Sequence, residues 1–207
     1  NHHKGRKKSP NTGSPGVFLL FRTFAFLHRK ARQRLNLAFR PLCVIFAVMK
    51  PKTSVLFVCL GNICRSPAAD GILRRMVSDS GLSDLVEIDS AGTYGGHAGD
   101  LPDPRMRRAA SLRGYDLRHR ARQVREEDFD RFDMIVAMDD MNYEALHRLA
   151  PSREAAQRIF RMTEFCRQHP GRTHVPDPYY EGREGFELVL DLLEDGCRGL
   201  LERISAR

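Results

Sequence analysis

From residue 53 onward the spacing of apolar residues switches repeatedly between two periods. TSVLFVC (53–59) is a short β-branched apolar run, the pattern of a strand buried on both faces. PAADGILRRMVSDS (67–80) has helical spacing, with Pro67 near the first turn and Gly81 as a stop signal. LVEIDSAG (85–92) predicts a second strand, and TYGGHAGDLPD (93–103) a Gly-rich loop. A helix follows over 104–115, ended by Gly114, then a short helical stretch over 126–132. DMIVAM (133–138) predicts a third strand, 139–150 a helix stopped by Pro151, and QRIFRM (157–162) a fourth strand. After a loop over 167–182, residues 182–204 predict a terminal amphipathic helix. Its apolar face is Phe186, Leu190, Leu193, Cys197, Leu200 and Ile204.

Strand and helix alternate four times. That order predicts an α/β fold, an open four-stranded parallel sheet with helices on both faces. Such sheets bind ligands outside the carboxyl ends of their strands. The turn after the first strand is therefore where chemistry is expected, and Cys59 opens it.

Charge divides the chain. The formal net charge is +8. Residues 1–48 hold ten Lys/Arg and no Asp or Glu, which leaves 24 basic against 26 acidic residues in the remainder. The body thus carries no excess that would argue for nucleic acid. Residues 1–16 are polar, basic and rich in Gly, Pro and Ser, and read as disordered. Residues 17–48 mix apolar and basic residues. Arg22 interrupts the apolar run that a secretory signal needs, and length and charge exclude a membrane span. A membrane-surface helix over 17–48 is a minor alternative. The first Met is Met49, and MKPKTSVLFVCLGN has the form of an ordinary protein start. Residues 1–48 are therefore expected to be a disordered extension or upstream sequence, and 49–207 the working domain. The five cysteines, Cys43, Cys59, Cys64, Cys166 and Cys197, make a poor disulfide framework. They favour a reducing cytoplasm. No Cys/His set has zinc-ligand spacing, so no metal or other cofactor is expected.

The turn Cys59-Leu60-Gly61-Asn62-Ile63-Cys64-Arg65-Ser66 lies between a strand and a helix N-terminus. Successive N–H groups of such a loop form an anion nest, and the helix adds its positive dipole end. Gly61 is expected to supply a backbone conformation closed to other residues. Arg65 offers a planar fork for two phosphate oxygens. A tetrahedral oxyanion is the ligand this set suits, and a cysteine at the floor of such a nest is held as the nucleophilic thiolate. Ser66 is placed to donate a hydrogen bond to the sulfur. A lone cysteine on an apolar strand is ordinarily a small buried hydrophobe. The Arg-Ser pair after five intervening residues argues for the reactive role.

Cys-Leu-Gly-Asn-Ile-Cys-Arg-Ser-Pro after an apolar strand resembles the signature of the low-molecular-weight protein tyrosine phosphatases. A second motif, Asp177-Pro178-Tyr179-Tyr180, stands at the place the resemblance requires. The likeness runs from about residue 53 to 206. It implies that Cys59 is the nucleophile of a phosphocysteine intermediate and that Arg65 binds phosphate and stabilises the transition state. It implies that Asp177 is the general acid and then the base. It implies phosphate or substrate contacts by Leu60, Gly61, Asn62, Ile63, Cys64 and Ser66. Asn62, Ser90 and His119 would hold the loop in shape. Cys64 would form a reversible disulfide with Cys59. Tyr179 and Tyr180 would wall the substrate slot. Many relatives carry an aromatic residue opposite that wall. Here Gly96 stands in its place, with Tyr94 two residues earlier as the residue that fills the gap. The implied partner is a phosphotyrosine-containing protein. Two rivals share the fold. A protein-arginine phosphatase is disfavoured by Ile63, where that group carries Thr. An arsenate reductase is disfavoured by the lack of a cysteine near the third strand.

Overall fold

The computed structural model describes residues 52–206; the readings made above for residues 1–48 lie outside them. Four strands, β1 (Thr53–Cys59), β2 (Val86–Gly92), β3 (Met134–Ala137) and β4 (Ile159–Arg161), form one parallel sheet in the order β2-β1-β3-β4. Among the described residues six α-helices accompany them: α1 (Arg65–Asp79), α2 (Pro104–Leu112), α3 (Asp128–Arg131), α4 (Asp140–Leu149), α5 (Arg153–Ala156) and α6 (Arg183–Ser205). The predicted open α/β architecture is the one observed.

The apolar run of β1 explains the layering. Alternate side chains of a strand point to opposite faces. Val55 and Phe57 join a core with Ile72 and Leu73 of α1, Met106 of α2, and Leu190 and Leu193 of α6. Leu56 and Val58 join the other core, with Phe129 of α3, Leu146 of α4 and Ala155 of α5. Both faces of β1 are thus covered, which is why its sequence is apolar at nearly every position.

Several boundaries differ from the sequence reading. Helix α1 begins at Arg65, two residues before the predicted start, so Pro67 falls within the first turn, where a missing N–H costs nothing. Helix α2 ends at Leu112, and Gly114 follows with φ +84°, a left-handed position that glycine takes without strain. The fourth strand is three residues long, because Met162–Phe165 turns into a 3₁₀ helix capped by Glu164. The short helix α5, capped by Ser152 accepting from Ala155 N–H, lies in a stretch where no element was predicted.

Candidate active site

β1 has partners on both sides, with β2 before it in the sheet and β3 after it, so the loops leaving β1 diverge at a switch point. Cys59 ends the strand and is 2% exposed. The loop Leu60–Cys64 then curls above the sheet and enters α1. Its framework is hydrogen-bonded to the loop after β2: Thr93 N–H donates to Cys59 C=O and Tyr94 N–H to Leu60 C=O, both at 2.9 Å. On the other side Asp103 N–H donates to Ile63 C=O at 2.8 Å. A β-carbon added to Gly92 would lie 2.6 Å from Leu60 C=O, so this approach of two backbones requires a glycine at 92.

Gly61 does not have the special backbone expected of it. The left-handed residue is Asn62, at φ +56°. Asparagine tolerates that region because its side chain bonds locally, and here it bonds on every side. Asn62 Nδ2 donates to Ser66 Oγ (2.9 Å) and Ser90 Oγ (3.0 Å). Asn62 Oδ1 accepts from Arg122 N–H (2.9 Å) and lies 3.0 Å from His119 Nε2. The predicted supports Asn62, Ser90 and His119 thus form one network beneath the loop. Gly61 instead makes room: a β-carbon there would lie 3.2 Å from the His97 ring.

Two donors face the sulfur. Asn62 N–H points at Cys59 Sγ at 3.3 Å, and Ser66 Oγ lies 3.0 Å from it. The Ser66 hydroxyl has a second acceptor, Ala91 C=O at 3.1 Å. One proton serves both, so it turns to the sulfur when the sulfur is charged and to the carbonyl when the thiol itself donates.

Arg65 is buried and donates three of its five N–H groups to the protein. Nη1 donates to Asp139 Oδ2 (2.6 Å) and Val175 C=O (3.1 Å), and Nη2 to Asp177 Oδ2 (2.6 Å). Burial disfavours its charge, but Cys59, Asp177 and Asp139 outweigh that and raise its pKa. Asp177 reaches this place because Val175 is buried and its N–H donates to Met138 C=O at the end of β3 (2.8 Å). Asp177 Oδ1 accepts from Tyr179 N–H at 3.1 Å, which fixes the turn carrying both tyrosines.

These residues open onto a slot of about 360 Å³. Its lining includes Cys59, Leu60, Gly61, Ile63, Cys64, Arg65, Asp177 and the side chains of Tyr94, His97, Tyr179 and Tyr180. Tyr179 and Tyr180 pack edge to face at 5.0 Å, and Tyr180 is 95% exposed, so it is not packed into the body of the loop. Across the slot the Tyr94 ring occupies the space where a Gly96 side chain would begin. All predicted site residues therefore gather in the slot or in the network beneath it.

Two residues here carried no sequence signal that singled them out. Asp139 caps α4, accepting from Asn142 N–H at 2.7 Å, while its other oxygen holds Arg65. His97 sits at the slot with Nδ1 3.2 Å from Asp100. An aspartate after a strand and before a helix reads only as a cap. Its second duty becomes visible once β1 and β3 lie side by side.

Among the described residues one group offers metal-ligand spacing: Asp70, Asp89 and His119, with donor atoms within 4.8 Å of one another. Each is already engaged. Asp70 pairs with Arg74, Asp89 with Arg122 (3.0 Å), and His119 with Asn62. The trio lies at the base of the loop network, where His119 reaches Asn62.

Residues 54–207 match the family described as low molecular weight phosphotyrosine protein phosphatase. A Streptomyces coelicolor low molecular weight protein-tyrosine-phosphatase is 45% identical over 151 residues, covering 72% of this chain and 92% of the relative. The human low molecular weight phosphotyrosine protein phosphatase is 38% identical over 151 residues, covering 72% and 94%. The crystal structure of an Entamoeba histolytica protein tyrosine phosphatase with Hepes in the active site is 42% identical. It superposes with a TM-score of 0.73, covering 75% of this chain and 98% of that one. The chain belongs to the low molecular weight phosphotyrosine protein phosphatase family.

Proposed function

We propose that this protein hydrolyses phosphotyrosine in protein substrates through a phosphocysteine intermediate. Cys59 Sγ attacks phosphorus while the tyrosyl oxygen leaves and takes a proton from Asp177. Asp177 then accepts a proton from water as that water attacks phosphorus and expels the sulfur. Arg65 and the loop N–H groups hold the three equatorial oxygens, where charge is spread in the transition state. Ser66 supports the departing thiolate by donating its hydroxyl proton.

The observation that carries this reading is the convergence of Cys59, Arg65 and Asp177 on one slot whose upper walls are aromatic. A tyrosyl ring between Tyr94 and the Tyr179–Tyr180 pair gains stacking that a phosphoserine lacks. Ile63 in the lining offers a guanidinium no partner, which disfavours phosphoarginine. β3 carries no cysteine, and Cys197 is fully buried, which disfavours an arsenate reductase relay. The residue set asks for no cofactor.

The described cysteines are all free thiols, in keeping with a reducing, cytoplasmic setting, and no described helix is long and apolar enough to cross a membrane. The working domain is assigned to 49–207; removal of residues 1–48 is expected to leave turnover unchanged.

The test is turnover of an aryl phosphate. Cys59→Ser is expected to be inactive, and Asp177→Ala to lose about 10²–10⁴-fold in kcat. Activity surviving in Cys59→Ser would overturn the mechanism. Faster turnover of phosphoarginine than of phosphotyrosine would overturn the substrate.

A further inference from the structure

A second cavity of about 410 Å³ lies between α2 and the start of α6, lined by Arg105, Arg108, Leu112, Glu181, Arg183 and Phe186 among others. It adjoins the slot through one stack of side chains. Arg105 lies over the Tyr179 ring at 5.3 Å and over the Phe186 ring at 4.9 Å. Tyr179 lines the slot and Arg105 lines the cavity, so the two spaces share a wall. That wall is braced. Asp103 grips Arg105 through Nε (3.1 Å) and Nη2 (2.8 Å), and the same residue's N–H donates to Ile63 C=O in the phosphate loop.

The charges around the cavity are unevenly committed. Arg105 is satisfied by Asp103. Glu187 is held by Arg113 at 2.6 Å and meets Arg183 only at 3.9 Å. Among the described residues Arg108 enters no ion pair. Glu181 is then the one uncommitted acid facing two weakly engaged arginines, Arg108 and Arg183. The floor is apolar: Phe186 is buried, Ala109 packs beside it, and Leu112 is left 71% exposed at the rim. A basic mouth over an apolar floor complements an acidic residue with an apolar neighbour.

We propose that this cavity is a subsite for the substrate chain flanking the phosphotyrosine, selecting an acidic residue and an apolar residue two positions from it. The proposal rests on the phosphatase reading. Residues two apart in an extended peptide face the same way and stand about 7 Å apart. A chain that seats its phosphotyrosine in the slot therefore brings a nearby side chain over the Tyr179–Arg105 wall. Arg108 and Arg183 would meet its carboxylate, and Leu112 and Phe186 its apolar partner.

The experiment is initial-rate kinetics on three matched phosphotyrosine peptides, with Glu-Ala-Leu, Ala-Ala-Ala or Lys-Ala-Ser flanking the phosphotyrosine, and on a small aryl phosphate. The enzymes are the parent, Arg108→Glu/Arg183→Glu and the neutral Arg108→Gln/Arg183→Gln. The parent is expected to favour the Glu-Ala-Leu peptide at least tenfold in kcat/KM, through KM. Charge reversal should abolish that preference and raise turnover of the Lys-Ala-Ser peptide; the Gln pair should fall between. Aryl phosphate turnover should be the same in all three enzymes. Equal kcat/KM for the three peptides in a parent that turns over aryl phosphate would overturn the subsite alone. So would a loss in the variants that is equal on every substrate. A parent inactive on aryl phosphate would instead overturn the phosphatase reading, and the subsite with it.

Discussion

Asp139 holds Arg65. Its Oδ2 lies 2.6 Å from Arg65 Nη1, while its Oδ1 accepts from Asn142 N–H at the start of α4. One carboxylate thus anchors a helix to the sheet end and aims the guanidinium that faces Cys59 and Asp177. Replacing Asp139 by Ala should remove both functions. We expect kcat on an aryl phosphate to fall by about 10–100-fold, with about 1 kcal/mol lost from the missing cap. Asp139→Asn keeps the cap and a weaker, neutral bond to Arg65. Its melting temperature should match the parent while kcat still falls. Full activity in the alanine variant would show that Val175 C=O and Asp177 suffice to place Arg65.

The Tyr94 ring occupies the space above Gly96. Gly96→Trp should therefore expel the Tyr94 ring, which is already more than half exposed, at a stability cost below about 1 kcal/mol. KM for aryl phosphates should change by up to about tenfold with kcat retained, since neither ring touches phosphorus. Tyr94→Ala should widen the slot and raise KM for phosphotyrosine more than for a small alkyl phosphate.

The cysteines differ in their surroundings. Burial and the nearby Asp103 push the Cys64 thiol up, burial alone dominates at Cys197, and burial with Asp195 lifts Cys166 to about 11. These three remain protonated at neutral pH and react slowly. Cys59 instead has Asn62 N–H and Ser66 Oγ directed at its sulfur. Iodoacetate at pH 7 should label Cys59 ahead of Cys64, Cys166 and Cys197, with loss of activity in step. Inorganic phosphate should slow both. Peptide mapping reads the order, and labelling of Cys64 first would contradict it.

Asp195 is buried in α6 and accepts from the N–H groups of Arg167 (3.2 Å), Gln168 (2.9 Å) and His169 (3.1 Å), with His169 Nδ1 at 2.9 Å. Burial opposes its ionisation, yet the His169 bond and the backbone N–H bonds hold its pKa below the ordinary carboxylate value. A depressed pKa contributes stability above the unfolded value of about 3.9 and loses it as pH falls through the folded value. Asp195→Asn should cost about 1–3 kcal/mol at pH 7. The gap between variant and parent should shrink as pH drops below about 4. Denaturant unfolding at pH 7 and pH 3 checks this; a gap that widens in acid would refute the assignment.

Much of the fold was legible in residues 53–206. Short apolar runs marked the strands and period-3.6 spacing the long helices, because burial on both faces of a strand and on one face of a helix imposes those patterns. The weak elements were not legible. Helix α5 and the early end of β4 depend on caps at Ser152 and Glu164, which are side-chain contacts rather than apolar spacing. The proposed phosphate loop was readable because its residues are contiguous: Cys59, Arg65 and Ser66 announce an anion nest by type and spacing.

What periodicity and spacing determined is therefore local: strand, turn, helix, and the chemistry packed into eight consecutive residues, to which the family resemblance added Ser90, His119, Asp177, Tyr179 and Tyr180. The tertiary structure decided which distant residues serve that chemistry. Asp139 lies 74 positions from Arg65 and Val175 lies 110 positions away, and they meet at one guanidinium because β1 and β3 are neighbours in a parallel sheet. The same packing gave the left-handed conformation to Asn62 rather than Gly61, since the network of Ser66, Ser90, His119 and Arg122 stabilises it there. Periodicity records which face of an element is buried. It does not record which element covers that face, so partners across the sheet appear only when the strands are ordered.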